Sequence, residues 1–227
     1  MLLKEEFNYT KLSRKDSPNG RQYVCPDGTS VPSVTTVLDK TKSEEKKLVL
    51  ENWRKRVGHT NAAAITTAAA GRGTTMHKFL ERYMLGEDIK PGSNLVQQQA
   101  FAMANVIIDT MLKPNVTEIW GLETSLYFPH LYAGTTDCVG LWEGLPSIMD
   151  FKQTNKPKKE EWIEDYYLQL AAYATAHNEI YGTNIRQGVV LMCSGALEPQ
   201  TFILRENRFA EYEDKWWARV KQYYQER

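Results

Sequence analysis

Residues 133–173 read AGTTDCVGLWEGLPSIMDFKQTNKPKKEEWIEDYYLQLAAY, and the reading of this stretch decides the fold. In SIMDFKQT apolar and polar residues alternate as in a half-buried strand. That period of two puts Asp150 and Lys152 on one face and turns Phe151 toward the core. Upstream, LYAGTTDCVGLW is rich in β-branched and aromatic residues and reads as a second strand, with the Gly and Pro of GLWEGLPS supplying a turn. The two strands make an antiparallel hairpin. Pairing across it brings Asp137, on the first arm, toward Asp150 at one end of a sheet.

Two carboxylates and an ammonium gathered in one place are costly. Like charges raise each other's pKa, and desolvation penalises all three groups. A divalent cation resolves the conflict. Mg²⁺ and Mn²⁺ take oxygen ligands in near-octahedral geometry and keep positions open for a phosphate oxygen and a water. Lys152 stands one side chain away, placed to orient that water.

Asp137 in Gly134-x-x-Asp137, Asp150-Phe151-Lys152 and Gln169-Leu170-x-x-Tyr173, in this order, resemble the RecB-type branch of the PD-(D/E)XK nuclease superfamily. The D-x-K tripeptide alone is a weak signal; the ordered set is a strong one. GTTMHKFLE, with His77 and Glu81, resembles the first motif of the same branch. There the histidine reaches the metal, which implies His77 as a ligand and a site hospitable to Mn²⁺. YVCPDGTSVPSVTTVL, at 23–38, resembles the amino-terminal part of the mitochondrial genome maintenance exonuclease group and its phage relatives.

The resemblance implies further roles. Asp137, Asp150 and the backbone carbonyl of Phe151 would hold a catalytic metal with His77, and Lys152 would position the nucleophilic water. Glu123, on the strand before the hairpin, would serve a second metal or stand as an edge charge. Gln169 would bond near Lys152 or the scissile phosphate, and Tyr173 would fix that end of the site. Ser33, Thr35 and Thr36 would offer hydroxyls to a DNA backbone or cap the helix that follows. Arg72 and Lys156 complete the expected substrate contacts. The cofactor expected is Mg²⁺ or Mn²⁺, one ion or two.

Composition sets bounds on this. The 227 residues suit one domain with one sizeable core. Twenty-eight basic residues balance 28 acidic ones, so nucleic-acid binding must come from local patches and bound metal. Cys25, Cys138 and Cys193 are odd in number and far apart, which suits a reducing compartment and neither a disulfide framework nor a zinc site. Three cysteines cannot supply the four that an iron–sulfur cluster needs, so none is expected. There is no run of about 18 apolar residues for a membrane span, and MLLKEEFNYT lacks a signal-peptide core. Cytoplasmic placement is expected, in a host cell if the gene is phage-encoded.

Along the chain, residues 7–38 alternate strand-like runs with turns and read as a small hairpin. Residues 43–58 give an imperfect helical stripe at Leu48, Leu50, Trp53 and Val57, with Lys46, Lys47, Arg54, Lys55 and Arg56 outside it. The basic face is either simply solvated or lines a strand's path. The Ala run at 62–70 suggests a helix, Gly71-Arg72-Gly73 a break, and Thr74 or Thr75 the cap of a new helix. Residues 94–112 read as a packing helix. In VTEIWGLETSLYF, alternation puts Leu122, Thr124 and Leu126 on one face and Glu123, Ser125 and Tyr127 on the other.

Trp162, Tyr166, Leu170, Tyr173 and His177 recur at helical intervals, His177 as a structural residue. NIRQGVVLMCSG and PQTFILREN give two further strands. The final helix carries Trp216, Trp217, Tyr223 and Tyr224, which pack onto the domain or stack on bases.

The expected fold is α/β: a central mixed sheet flanked by helices, a restriction-endonuclease-like core with an N-terminal β-hairpin and helical extension. Residues 1–70 would contribute the hairpin and helices of a DNA cleft, and 71–227 the nuclease core, within one compact domain. The expected activity is a metal-dependent DNA exonuclease in replication, recombination or repair, acting on single-stranded DNA or DNA ends. A helicase or recombinase is a natural partner, and no membrane is involved. Two alternatives stay open: a duplex-end resecting exonuclease of a phage recombination system, and a DNA-end-binding protein that does not cut.

Overall fold

The computed structural model describes residues 2–226. Its spine is a six-stranded mixed sheet in the order β1-β5-β6-β7-β8-β9. These strands are β1 (Leu2–Leu3), β5 (Val116–Phe128), β6 (Tyr132–Trp142), β7 (Leu145–Thr154), β8 (Gln187–Ser194) and β9 (Pro199–Arg205). β1 runs parallel to β5 and β7 parallel to β8; the other pairs are antiparallel. A second sheet of three strands, β2 (Ser13–Ser17), β3 (Gly20–Val24) and β4 (Ser30–Pro32), packs beside the start of β6.

Helices cover both faces of the large sheet, because its inner strands are apolar on both. All eight residues of β8 are buried, as a strand between two helical layers must be. Met149, Phe151, Val189 and Leu191 meet α3 (His59–Met84) and α4 (Leu95–Ile107) on one face. Ile148, Val190 and Met192 meet α6 (Glu164–Tyr181) and α7 (Glu206–Gln225) on the other. α4 runs on through a π-turn, Ile108–Leu112, into the short α5 (Lys113–Asn115). Trp216 is fully buried and Tyr223 nearly so, which settles the final helix as a packing element.

Four local expectations are corrected. The run VPSVTTVL is a strand only as far as Pro32. Ser33 then caps α1 (Val34–Lys40) by accepting the Thr36 N–H at 3.0 Å, and Val34, Val37 and Leu38 are buried at helical spacing. Nor does the chain break at Gly71-Arg72-Gly73, since α3 is one 26-residue helix through these positions. Arg72 Nε donates to Gln153 Oε1 at 2.8 Å, and Gln153 Nε2 donates back to the Ala69 carbonyl at 3.0 Å. Gly73 gives Gln153 room, because a Cβ there would lie 3.3 Å from its Cγ. Gly73 admits a close neighbour, and neither glycine ends the helix.

Leu122 and Leu126 do not share a face. Glu123 sits at φ 46°, a left-handed conformation that resets the alternation. Leu122 therefore packs on the α3–α4 side, and Leu126 is buried on the α6 side. Trp162 is 59% exposed, because a 3₁₀ turn at Glu160–Trp162 precedes α6 and leaves this ring outside the helix.

α2 (Glu44–Val57) has no buried residue. It stands off the body together with the N-terminal half of α3, and Lys46 ties it down through Glu164 at 2.6 Å and Asp165 at 3.1 Å.

Candidate active site

The β6–β7 ladder ends at the pair Cys138–Met149, one position before Asp137 and Asp150. Beyond that point Asp137 Oδ2 takes the place of a strand carbonyl and accepts the Phe151 N–H at 2.7 Å. The hairpin thus opens where its two carboxylates stand. Asp150 is buried and Asp137 half-buried, with 3% and 12% of their side-chain surface exposed.

Lys152 Nζ lies 2.6 Å from Asp150 Oδ2, yet this buried oxygen has no well-aligned hydrogen-bond donor. The ammonium also donates to Gln169 Oε1 at 3.4 Å and stands 5.0 Å from the centre of the Tyr166 ring. Gln169 Nε2 in turn donates to the Tyr173 hydroxyl at 3.3 Å. Tyr173 packs against bare backbone at Gly134, where a Cβ would meet its hydroxyl at 2.8 Å. The structure therefore joins Lys152, Gln169 and Tyr173 in one chain of contacts.

From the other side α3 brings His77. Its Nε2 donates to the Phe151 carbonyl at 2.8 Å, and its Nδ1 lies 3.3 Å from Asp137 and 3.9 Å from Glu123. Glu123 reaches this group because of its left-handed backbone, a conformation that costs an L-residue roughly 1–3 kcal/mol. His77, Glu123 and Asp137 each offer a ligand atom within 4.8 Å of the others, a grouping able to hold a divalent cation. Asp150 lies outside that triad, against Lys152.

The charges are strongly coupled. Burial pushes the His77 pKa down, but the charge and hydrogen bond of Asp137, then Glu123, outweigh it and raise it to about 10. Burial pushes the Asp137 carboxyl up, and His77, Lys152 and the Phe151 N–H reverse this and hold it below the usual carboxylate range. For Asp150 burial wins: its pKa is raised, with Lys152 opposing and Asp137 adding to the shift. Burial lowers the Lys152 pKa, and Asp150 and Asp137 more than restore it.

The remaining predicted residues lie around this centre. Arg72 bonds Gln153 and Asn155, and Gln99 at 3.3 Å, so it clamps α3 and α4 to the end of β7. Lys156 is exposed in the turn after β7. Ser33 is 2% exposed with its hydroxyl engaged in its cap, whereas Thr35 is exposed, its hydroxyl 2.9 Å from that of Ser33. Glu81 lines a cleft of about 400 Å³ with Thr74, His77, Lys78 and Glu123. Burial and the neighbouring Glu123 charge raise its carboxyl pKa.

Sequence reasoning missed Gln153, whose contacts with α3 seat His77. Its position next to Lys152 was the available signal. β1 and the strap at 4–12, which run along β5, gave no signal.

No family model matches the chain. Mitochondrial genome maintenance exonuclease 1 of Mus musculus is 28% identical over 208 residues, 86% of this chain and 59% of the mouse protein. The Homo sapiens protein of that name is 24% identical over 228 residues, 92% of this chain and 64% of its own length. The chain thus spans about six-tenths of the length of these relatives. A crystal structure described as an exonuclease from Eubacterium rectale matches at TM-score 0.47 and 13% identity, over 66% of this chain and 64% of that one. No helix among the described residues is long and apolar enough to cross a membrane. The chain has a PD-(D/E)XK-like nuclease fold, related to the mitochondrial genome maintenance exonucleases, with His77, Glu123 and Asp137 as its candidate metal triad.

Proposed function

We propose that this chain is a metal-dependent deoxyribonuclease acting from the ends of DNA, with single strands preferred. The observation that carries the reading is the opened end of the β6–β7 hairpin, where Asp137, Asp150 and Lys152 converge beside His77 and Glu123. The donor set fits a hard or borderline divalent cation: two carboxylates and one imidazole within reach, with the buried Asp150 carboxylate beside them against Lys152. His77, Glu123, Asp137 and Asp150 would hold Mg²⁺ or Mn²⁺, one ion or two. When bound, such an ion lowers the pKa of water and offsets charge building on a phosphate in the transition state.

The chain's own residues do the rest. Lys152, held between Asp150 and Gln169, donates a hydrogen bond to the attacking water and fixes its direction. Gln169 and Tyr173 keep the ammonium from swinging away. Arg72 and Lys156 stand at the end of β7, where a phosphate one nucleotide away would pass.

Preference for single strands follows from the raised helices. One foot of the α2–α3 span is Lys46 on Glu164 and Asp165; the other is Ala69 and Arg72 on Gln153, next to Lys152. A strand reaching Lys152 between these feet would pass beneath the span, an arrangement that supports threading of a single strand in preference to a duplex. Roles in replication, recombination or repair, and a helicase or recombinase partner, accord with an end-processing enzyme.

The test is cleavage of end-labelled single-stranded and blunt duplex oligonucleotides with Mg²⁺, Mn²⁺ or EDTA, comparing wild type with Asp150→Ala and Lys152→Ala. Metal-dependent shortening of the single strand, abolished by either substitution, is the expected result. Equal rates on the duplex remove the strand preference, and binding without cutting under every metal removes the nuclease.

A further inference from the structure

A second groove, of about 550 Å³, lies beside the site, between the N-terminal strap and β5. It shares Glu81 and Glu123 with the cleft around His77, so the two adjoin. Its floor is the next pair along β5 and β6: Ser125 opposite Thr135, two residues beyond Glu123 and Asp137. Two strand residues span about 6.6 Å, close to the step between neighbouring phosphates of an extended single strand.

The far wall is the N-terminal strap. The Tyr9 ring lies on bare backbone at Gly121, where a Cβ would sit 2.6 Å from Tyr9 Cε2. The Leu12 side chain is buried, and its N–H donates to Ser125 Oγ at 3.4 Å. These two anchors pin the strap along β5 and leave Lys11 exposed between them, with Arg14 beyond. Arg14 shares its one carboxylate: Asp16 lies 2.9 Å from Arg21 and 3.3 Å from Arg14. The rim of a groove that starts at an acidic centre is therefore basic, in a chain with no net charge.

We propose that this groove holds the substrate strand on the far side of the scissile phosphate, with Lys11 and Arg14 on successive phosphates and the Ser125 and Thr135 hydroxyls facing the backbone between them. The chemistry recognised is that of a single-stranded polyanion without regard to base, because the groove offers cations and hydroxyls and its tyrosine rings are already packed. The proposal rests on the nuclease reading and adds a track to it. Lys11 and Arg14 are positioning residues.

The experiment measures anisotropy of a labelled 20-nucleotide thymidine oligomer on the full chain in Ca²⁺ across a salt series, with cleavage of the same oligomer in Mg²⁺ or Mn²⁺. The variants are Lys11→Ala/Arg14→Ala and, as a remote control, Lys90→Ala, an exposed lysine paired with Asp88. Two lost phosphate contacts lower the slope of log K against log salt by about 1.4, from roughly 0.7 per contact on single strands. Kd is expected to rise about tenfold at low salt, with KM rising more than kcat falls. The control stays at wild type. A double variant with wild-type slope and Kd overturns the groove. If that variant still cuts, the nuclease reading survives alone; a lowered slope without cutting in wild type keeps the groove and removes the nuclease. A wild type that neither binds nor cuts removes both.

Discussion

Asp137 Oδ2 accepts the backbone N–H of Phe151 at 2.7 Å, across two strands whose ladder has ended one residue earlier. The carboxylate thus has two jobs, closing the sheet and facing His77, and substitutions separate them. In Asp137→Asn the amide oxygen still accepts this N–H, so stability should stay within about 1 kcal/mol of wild type while Mn²⁺ affinity collapses. Asp137→Ala strands a buried donor and should lose roughly 1–3 kcal/mol as well. Urea unfolding and calorimetric Mn²⁺ titration of both variants check this; equal stability of the two would deny the structural job.

Glu123 offers a second separation. Its φ of 46° strains any residue with a Cβ. Relief of that strain gains about 1–2 kcal/mol, and the extra chain entropy of glycine takes back about 0.5–1. Glu123→Gly should therefore be more stable than Glu123→Ala by up to about 1.5 kcal/mol, and both should bind Mn²⁺ more weakly by at least about tenfold. Thermal melts of the pair decide it, with an Ala variant as stable as the Gly variant ending the strain argument.

Much of this was legible in the residues. Asp137, Asp150 and Lys152 sit on strands whose alternation is plain, and Gln169 and Tyr173 share one face of a helix, so spacing alone fixed their directions. The helical course of 34–40 was masked by β-branched Val and Thr, whose propensity a single buried cap at Ser33 overrode. Gly71 and Gly73 read as breakers, because nothing local announces that Gln153, far along the chain, packs against Gly73 and holds the helix through Arg72 and Ala69. The left-handed turn at Glu123 is invisible for the same reason: glutamate has no preference for it, and only packing on both sides imposes it.

The foot of the α2–α3 span is open to test at Lys46. Its pairs with Glu164 and Asp165 are between a third and two-fifths exposed, so they contribute little to global stability, about 0–1 kcal/mol. Lys46→Glu should leave the melting curve nearly unchanged, speed hydrogen exchange in α2, and narrow the ratio of single-strand to duplex cleavage. Unchanged exchange in α2 would show that the foot does not hold the span.

His177 is fully buried at the opposite end of α6, and its protonation state follows from its neighbours. Thr183 Oγ1 donates to Asn178 Oδ1 at 2.8 Å, so it accepts from His177 Nδ1–H, also at 2.8 Å. Nε2 is then an acceptor and takes the Tyr9 hydroxyl at 3.0 Å, which fastens the N-terminal strap. Burial lowers the pKa of this neutral ring to about 4, from 6.5. The unfolded chain binds the proton first as pH falls, so the folded-state advantage is complete above about 6.5 and is lost progressively down to about 4, where it levels off. At about 1.4 kcal/mol per pH unit the full span is on the order of 3 kcal/mol. His177→Gln removes the titration, so the stability gap between wild type and variant should shrink by that order between pH 7 and pH 4. Urea unfolding at these two pH values measures the gap, and ¹⁵N shifts of the imidazole report the Nδ1–H tautomer directly. A gap that stays constant with pH would mean that folding leaves the His177 pKa unshifted.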